Sequence, residues 1–76
     1  MNPINLTVLL FKDGPWWVAQ ALEVDIASQG KSVDDAEYEL QLAVSAFLAF
    51  NGVDAFLALP RAPERYWKQW AAVAPN

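Results

Sequence analysis

The chain has 76 residues, 55% of them apolar and 18% charged, which is too short for two hydrophobic cores and too apolar for intrinsic disorder. Nine acids against five bases leave a net charge of −4, which argues against general nucleic-acid binding and suits a basic protein partner. The lack of cysteine and histidine removes disulfides, thiolate nucleophiles, zinc-thiolate sites and the usual neutral-pH acid or base, so the composition points to a domain that binds.

Leu6 to Phe11 is rich in strand-favouring side chains, and Asp13-Gly14-Pro15 follows as a reversal signal. Trp16 to Leu22 resumes with bulky and β-branched residues, so the two segments read as an antiparallel hairpin. Ile26 to Gln29 is a short third strand, broken by Gly30-Lys31. Ser32 stands three residues before Asp35, an acid-bearing variant of the capping box, and Asp34, Asp35, Glu37 and Glu39 suit the positive end of a helix dipole. That helix presents Val33, Ala36, Leu40, Ala43, Val44 and Phe47 to a sheet and stops at Asn51-Gly52. A second stripe of Tyr38, Leu42, Ala46 and Ala49 is more apolar surface than one small sheet needs, and it predicts a further contact.

Residues 53–59 have no clear period and fit strand or helix; a fourth strand at about Phe56 to Leu59 is the preferred reading. Pro60 to Pro63 forms a stiff connector, with Pro63 at the first position of a last helix, where its missing N–H costs nothing. Tyr66, Trp67, Trp70 and Val73 then share one side of that helix. Residues 1–60 hold eight acids and two bases, while 61–76 hold three bases and one acid, so the tail differs electrostatically from the body. No basic stretch precedes a long apolar run, and no run is read as approaching the roughly 20 residues that span a bilayer, so a soluble, cytoplasmic chain is expected.

The order of three strands and a helix resembles the HicB-like antitoxin family. The resemblance rests on Asp13-Gly14, Trp17-Val18-Ala19, the segment Ala21 to Gly30 and Lys31-Ser32-Val33-Asp34-Asp35-Ala36. It covers residues 6 to about 50 and implies a single-domain branch with a β-β-β-α-(β) fold, like a reduced ribonuclease H sheet. The α+β domain would occupy residues 1–59 and a helical tail 60–76. The family implies a non-catalytic homo-oligomer that neutralises a small basic ribonuclease toxin, HicA. Many members add a DNA-binding segment; the stretch after Leu59 is too short for one, so direct DNA binding is not expected.

Candidate sites follow. Glu23 and Asp25 lie two apart, so in extended backbone they share a side, as metal-holding carboxylates or as acids facing a partner. Solvated or partner-facing acids are the better reading, and no metal or cofactor is expected. Trp16 and Trp17 are adjacent, so one packs under the helix while the other needs a cover from the tail, a second subunit or a partner. Tyr66, Trp67 and Trp70 interleave with Arg65 and Lys68, a pattern that could stack on single-stranded RNA but better suits packing within the chain or between subunits, as for Tyr38 and Leu42. The readings are a HicB-like binding module, a solitary homo-oligomer without a toxin, and, least favoured, a carboxylate-metal nuclease remnant built on Glu23 and Asp25.

Overall fold

The computed structural model describes residues 5–73. Strands β1 (Val8–Asp13), β2 (Trp16–Ala21) and β3 (Ala27–Gly30) form an antiparallel sheet in the order β1-β2-β3. Helix α1 (Val33–Leu57) and helix α2 (Glu64–Val73) follow. The fold is α+β, with a three-stranded sheet, a long helix and a short C-terminal helix.

Register explains the arrangement. Asp13 pairs with Trp16, leaving Gly14-Pro15 as a two-residue loop. Gly14 has φ +60°, and proline fixes the next φ near −65°, the combination of a type II′ hairpin turn. With side chains alternating along each strand, Val8, Leu10, Trp17, Ala19 and Ala21 fall on one face, and Leu9 and Phe11 on the other.

Helix α1 covers the first face. Its N-cap Ser32 is extended, and Ser32 Oγ accepts from the Asp35 N–H at 3.1 Å. Ala36 and Leu40 are buried against Ala19, Ala21 and Val24, with Val44 and Phe47 packed beside them. Gly30 lets β3 approach the first turn of α1: a Cβ there would lie 2.6 Å from the Ala36 nitrogen and 2.6 Å from Asp35 Cβ. The glycine serves close approach between strand and helix, and it closes β3 where the sequence reading ends the strand at Gln29.

Helix α2 covers the second face within the same chain. Leu9, Leu22 and Ala62 form its buried cluster, with Phe11, Tyr66, Trp67 and Trp70 packed against them. The helix begins one residue after Pro63, whose carbonyl accepts from the Tyr66 N–H at 3.0 Å. Val73, expected on the packed side, is exposed.

The expected fourth strand at Phe56 to Leu59 is corrected. Gly52 does interrupt the helix, at φ 85° and ψ 166°, but the chain re-enters a helical turn immediately. That turn buries Phe56 completely against the α1 cluster, with its ring 6.0 Å from Phe47. The backbone that pairs with the body comes later. Asp25 N–H donates to Pro60 O at 2.8 Å and Ala62 N–H to Leu22 O at 3.0 Å, two bonds that tie the connector without making a strand.

Candidate protein-binding surfaces

After Ala21 the chain leaves the sheet, which undoes the shared side assigned to Glu23 and Asp25 from extended backbone. Glu23 turns to Thr7, accepting from its N–H and its hydroxyl, both at 2.7 Å. Burial pushes the Glu23 carboxyl upward. The bonds from the Thr7 hydroxyl and N–H, its own backbone N–H and the charge of Arg61 outweigh that, holding it below the ordinary value of 4.5. Asp25 instead accepts from Gln20 Nε2 at 3.0 Å. The Gln20 side chain is buried and also donates to Ala21 O at 2.8 Å, bracing the connection between β2 and β3. Among the described residues no three or more acids, histidines or cysteines gather where a metal ion would sit. Glu23 is therefore a clamp on the chain leading into β1, while Asp25 is exposed.

The two adjacent tryptophans part as strand geometry requires. Trp17 packs against the α1 cluster, with Lys12 Nζ 5.7 Å from its ring centre. Trp16 falls on the opposite face and is 37% exposed. Helix α2 covers the β1 side of that face and leaves a strip along β2 and β3 open. Val18, Ala27, Ser28 and Gln29 line a shallow groove there, with Trp16 further along β2. Asp13, paired with Trp16, and Asp25, beside Ala27, put negative charge at the two ends of the strip. Strand β3 is an edge of the sheet, with β2 its one neighbour among the described residues.

The aromatic residues of α2 are engaged within the chain. Tyr66 stacks on Phe11 at 5.7 Å and carries the Arg65 guanidinium at 4.6 Å, while Arg61 lies 4.2 Å over the Trp67 ring. Tyr66, Trp67 and Trp70, whose pattern could stack on RNA but better suits packing, thus form one wall of the second apolar cluster. Trp67 Nε1 is buried with no acceptor among the described residues.

A second surface runs along α1 opposite its core stripe. Tyr38 is 59% exposed, Leu42 46% and Val53 48%, with Ala46 and Ala49 exposed between them. Phe50, at 87%, and Leu57 widen the apolar surface toward the C-terminal end. Tyr38 and Leu42 are thus outward-facing, as their stripe predicts. The sequence reading missed Phe50, which lies beside the stripe, and Val53 and Leu57, which lie beyond the break at Gly52. By length and composition α1 is long and apolar enough to cross a membrane, which corrects the expectation that no run approaches that span, and the core helix of a soluble protein passes the same test.

Comparison of the chain with protein-family models, with curated proteins and with solved structures finds no match.

Proposed function

We propose that the chain is a non-catalytic, self-associating protein-binding module of HicB-like type, acting in the cytoplasm, that engages a small basic protein such as a HicA-type mRNA interferase and shields it from RNA. The observation that carries this reading is the open strip on β2 and β3, where the 37% exposed Trp16 lies on a face that α2 does not fully cover. An exposed indole supplies a large apolar anchor, and carboxylates around it favour a cationic partner in encounter and register. Asp13 pairs with Trp16, and Asp25 stands at the far end of the strip beside Gln20. Glu23, bound to Thr7, would act through the shape of the connection. We read α1 as a core helix with a second contact face, since one side of it is packed on the sheet and Gly52 breaks its course.

The test is isolation from the native host, identification of any small basic protein recovered with it, and calorimetry of the purified pair. Trp16→Ser and Asp25→Lys are expected to weaken binding by roughly tenfold or more each. Recovery of no basic protein, or a pair indifferent to both substitutions, overturns the reading. A solitary homo-oligomer without a toxin is the second reading, favoured by the apolar stripe on α1, which needs no foreign chain to cover it.

A further inference from the structure

We propose that the open edge of β3 is covered by β3 of a second copy, paired antiparallel about a two-fold axis at Ser28, so that the two sheets join into one. This deepens the self-association in the reading above, rests on that part of it alone and needs no basic partner.

Backbone hydrogen bonding decides which residues meet. In an antiparallel pair, alternate residues turn their N–H and C=O groups toward the neighbouring strand, and those between turn theirs away. Ala21 N–H donates to Ile26 O at 2.9 Å, one step beyond the pairing of Gln20 with Ala27. Ile26, Ser28 and Gly30 therefore face β2, while Ala27 and Gln29, both exposed, hold their backbone groups toward the free edge. Among the described residues, no backbone carbonyl outside the sheet takes either N–H. Just before the strand the edge closes, because the Asp25 N–H goes to Pro60 O at 2.8 Å. Two outward residues allow one full self-pairing, Ala27 against Gln29 of the other copy and the reverse, with Ser28 facing Ser28 at the axis. Each such pair exchanges both of its hydrogen bonds. Sliding the copies one way sets Ala27 against itself and calls on the Asp25 N–H that Pro60 already holds. Sliding them the other way sets Gln29 against itself and runs Ala27 past the strand onto Lys31.

Charge agrees with this register and names the occupant. From Ile26 to Gly30 no side chain is charged and none is proline, so β3 lacks the residues with which sheet edges usually repel another strand. The other edge, β1, carries Lys12 and Asp13. The flanks of β3 have opposite signs, Asp25 before it and Lys31 after it, both exposed. Reversal brings Lys31 of each copy to the end of the interface where Asp25 of the other stands, whereas a parallel pair would set like charge beside like. A segment whose ends complement each other when reversed fits a second copy of itself. An axis perpendicular to the sheet also keeps the grooves of Val18, Ala27 and Gln29 from both copies on one face, where they run together.

Light scattering along a dilution series should give twice the 8.4 kDa chain mass at its upper end. Gln29→Pro removes an N–H that faces away from β2, a position where an edge strand tolerates proline. It should weaken the dimer by roughly tenfold or more with unchanged far-ultraviolet ellipticity. Lys31→Glu should weaken it by roughly threefold to tenfold, and an equal mixture of Lys31→Glu and Asp25→Lys chains should recover it, because every facing pair is again of unlike charge. The chain has no cysteine, so introduced thiols report position directly. Ser28→Cys should oxidise to a covalent dimer, since facing residues of a non-hydrogen-bonded pair lie about 4.5 Å apart at Cα, while Ala27→Cys should not. Trp16→Ser, expected to weaken capture of a basic partner, should leave the dimer intact, so the two readings fail separately. A monomer throughout the series, a dimer indifferent to Gln29→Pro, a mixture without recovery, or linking of Ala27→Cys as readily as Ser28→Cys overturns the proposal. So does a chain that is monomeric alone and loses capture of a basic protein in Gln29→Pro, which would give the edge to that protein.

Discussion

Single residues in this protein act through what they touch. Glu23 takes two bonds from Thr7 and its carboxyl sits below the ordinary value of 4.5, so the folded state holds its proton more weakly than the unfolded chain does. The clamp's contribution is then complete above about pH 4.5 and lost as the pH falls through the folded value. Glu23→Gln should flatten that limb of an acid titration followed by circular dichroism, and Thr7→Val should cost about 1–2 kcal/mol in urea denaturation at neutral pH. An unchanged acid limb in Glu23→Gln would show that other carboxylates carry it. Gly30 makes a sharper case. Since its missing side chain is the space occupied by Asp35 and the Ala36 nitrogen, Gly30→Ala should cost about 1–3 kcal/mol, although an extended strand normally tolerates alanine well. A melting temperature equal to that of the unmutated chain would remove the close-approach argument.

Among the elements, those whose cause is local were legible in the sequence. Asp13-Gly14-Pro15 carries its own turn chemistry, and Ser32 its own cap, so the hairpin and the start of α1 follow from a few neighbouring residues. The segment after Gly52 does not. Its sequence suits strand or helix, and the outcome rests on Phe56 reaching the cluster beneath Phe47, a contact that no local pattern encodes. Asp25 was misplaced for a related reason: the chain abandons extended backbone after Ala21 because Gln20, Pro60 and Ala62 bind the connection, and two of those three lie more than 30 residues away. Two substitutions probe this part of the chain. Phe56→Ala should cost about 3–5 kcal/mol by opening a cavity between α1 and the sheet. Gly52→Ala should cost about 1–3 kcal/mol despite alanine's helix propensity, because φ 85° with ψ 166° is glycine backbone. If Gly52→Ala stabilises the fold, the break in α1 is not required for burying Phe56.

At the scale of the whole molecule, the sheet separates two apolar clusters of unequal strength. The α1 side holds six buried residues against three on the α2 side, and α2 contributes half-buried aromatics while burying none of its own residues completely. Which face α2 would take was not legible, because its stripe of Tyr66, Trp67 and Trp70 specifies an apolar contact without specifying the surface. The inequality predicts that α2 opens before the rest of the fold. Amides of Trp67 to Val73 should exchange with deuterium faster than those of Leu40 to Leu48. Equal protection would mean that the two sides melt as one unit.

The division of the four tryptophans between β2 and α2 has an optical consequence. Trp16 and Trp17 are carried by β2, while Trp67 and Trp70 are carried by α2. Detachment of α2 would wet two indoles and leave the far-ultraviolet signal of α1 nearly intact. Emission should therefore shift to the red at lower urea than ellipticity is lost, and replacing both α2 tryptophans with phenylalanine should leave only the later transition, so the protein's own fluorescence serves as a gauge of which layer has let go.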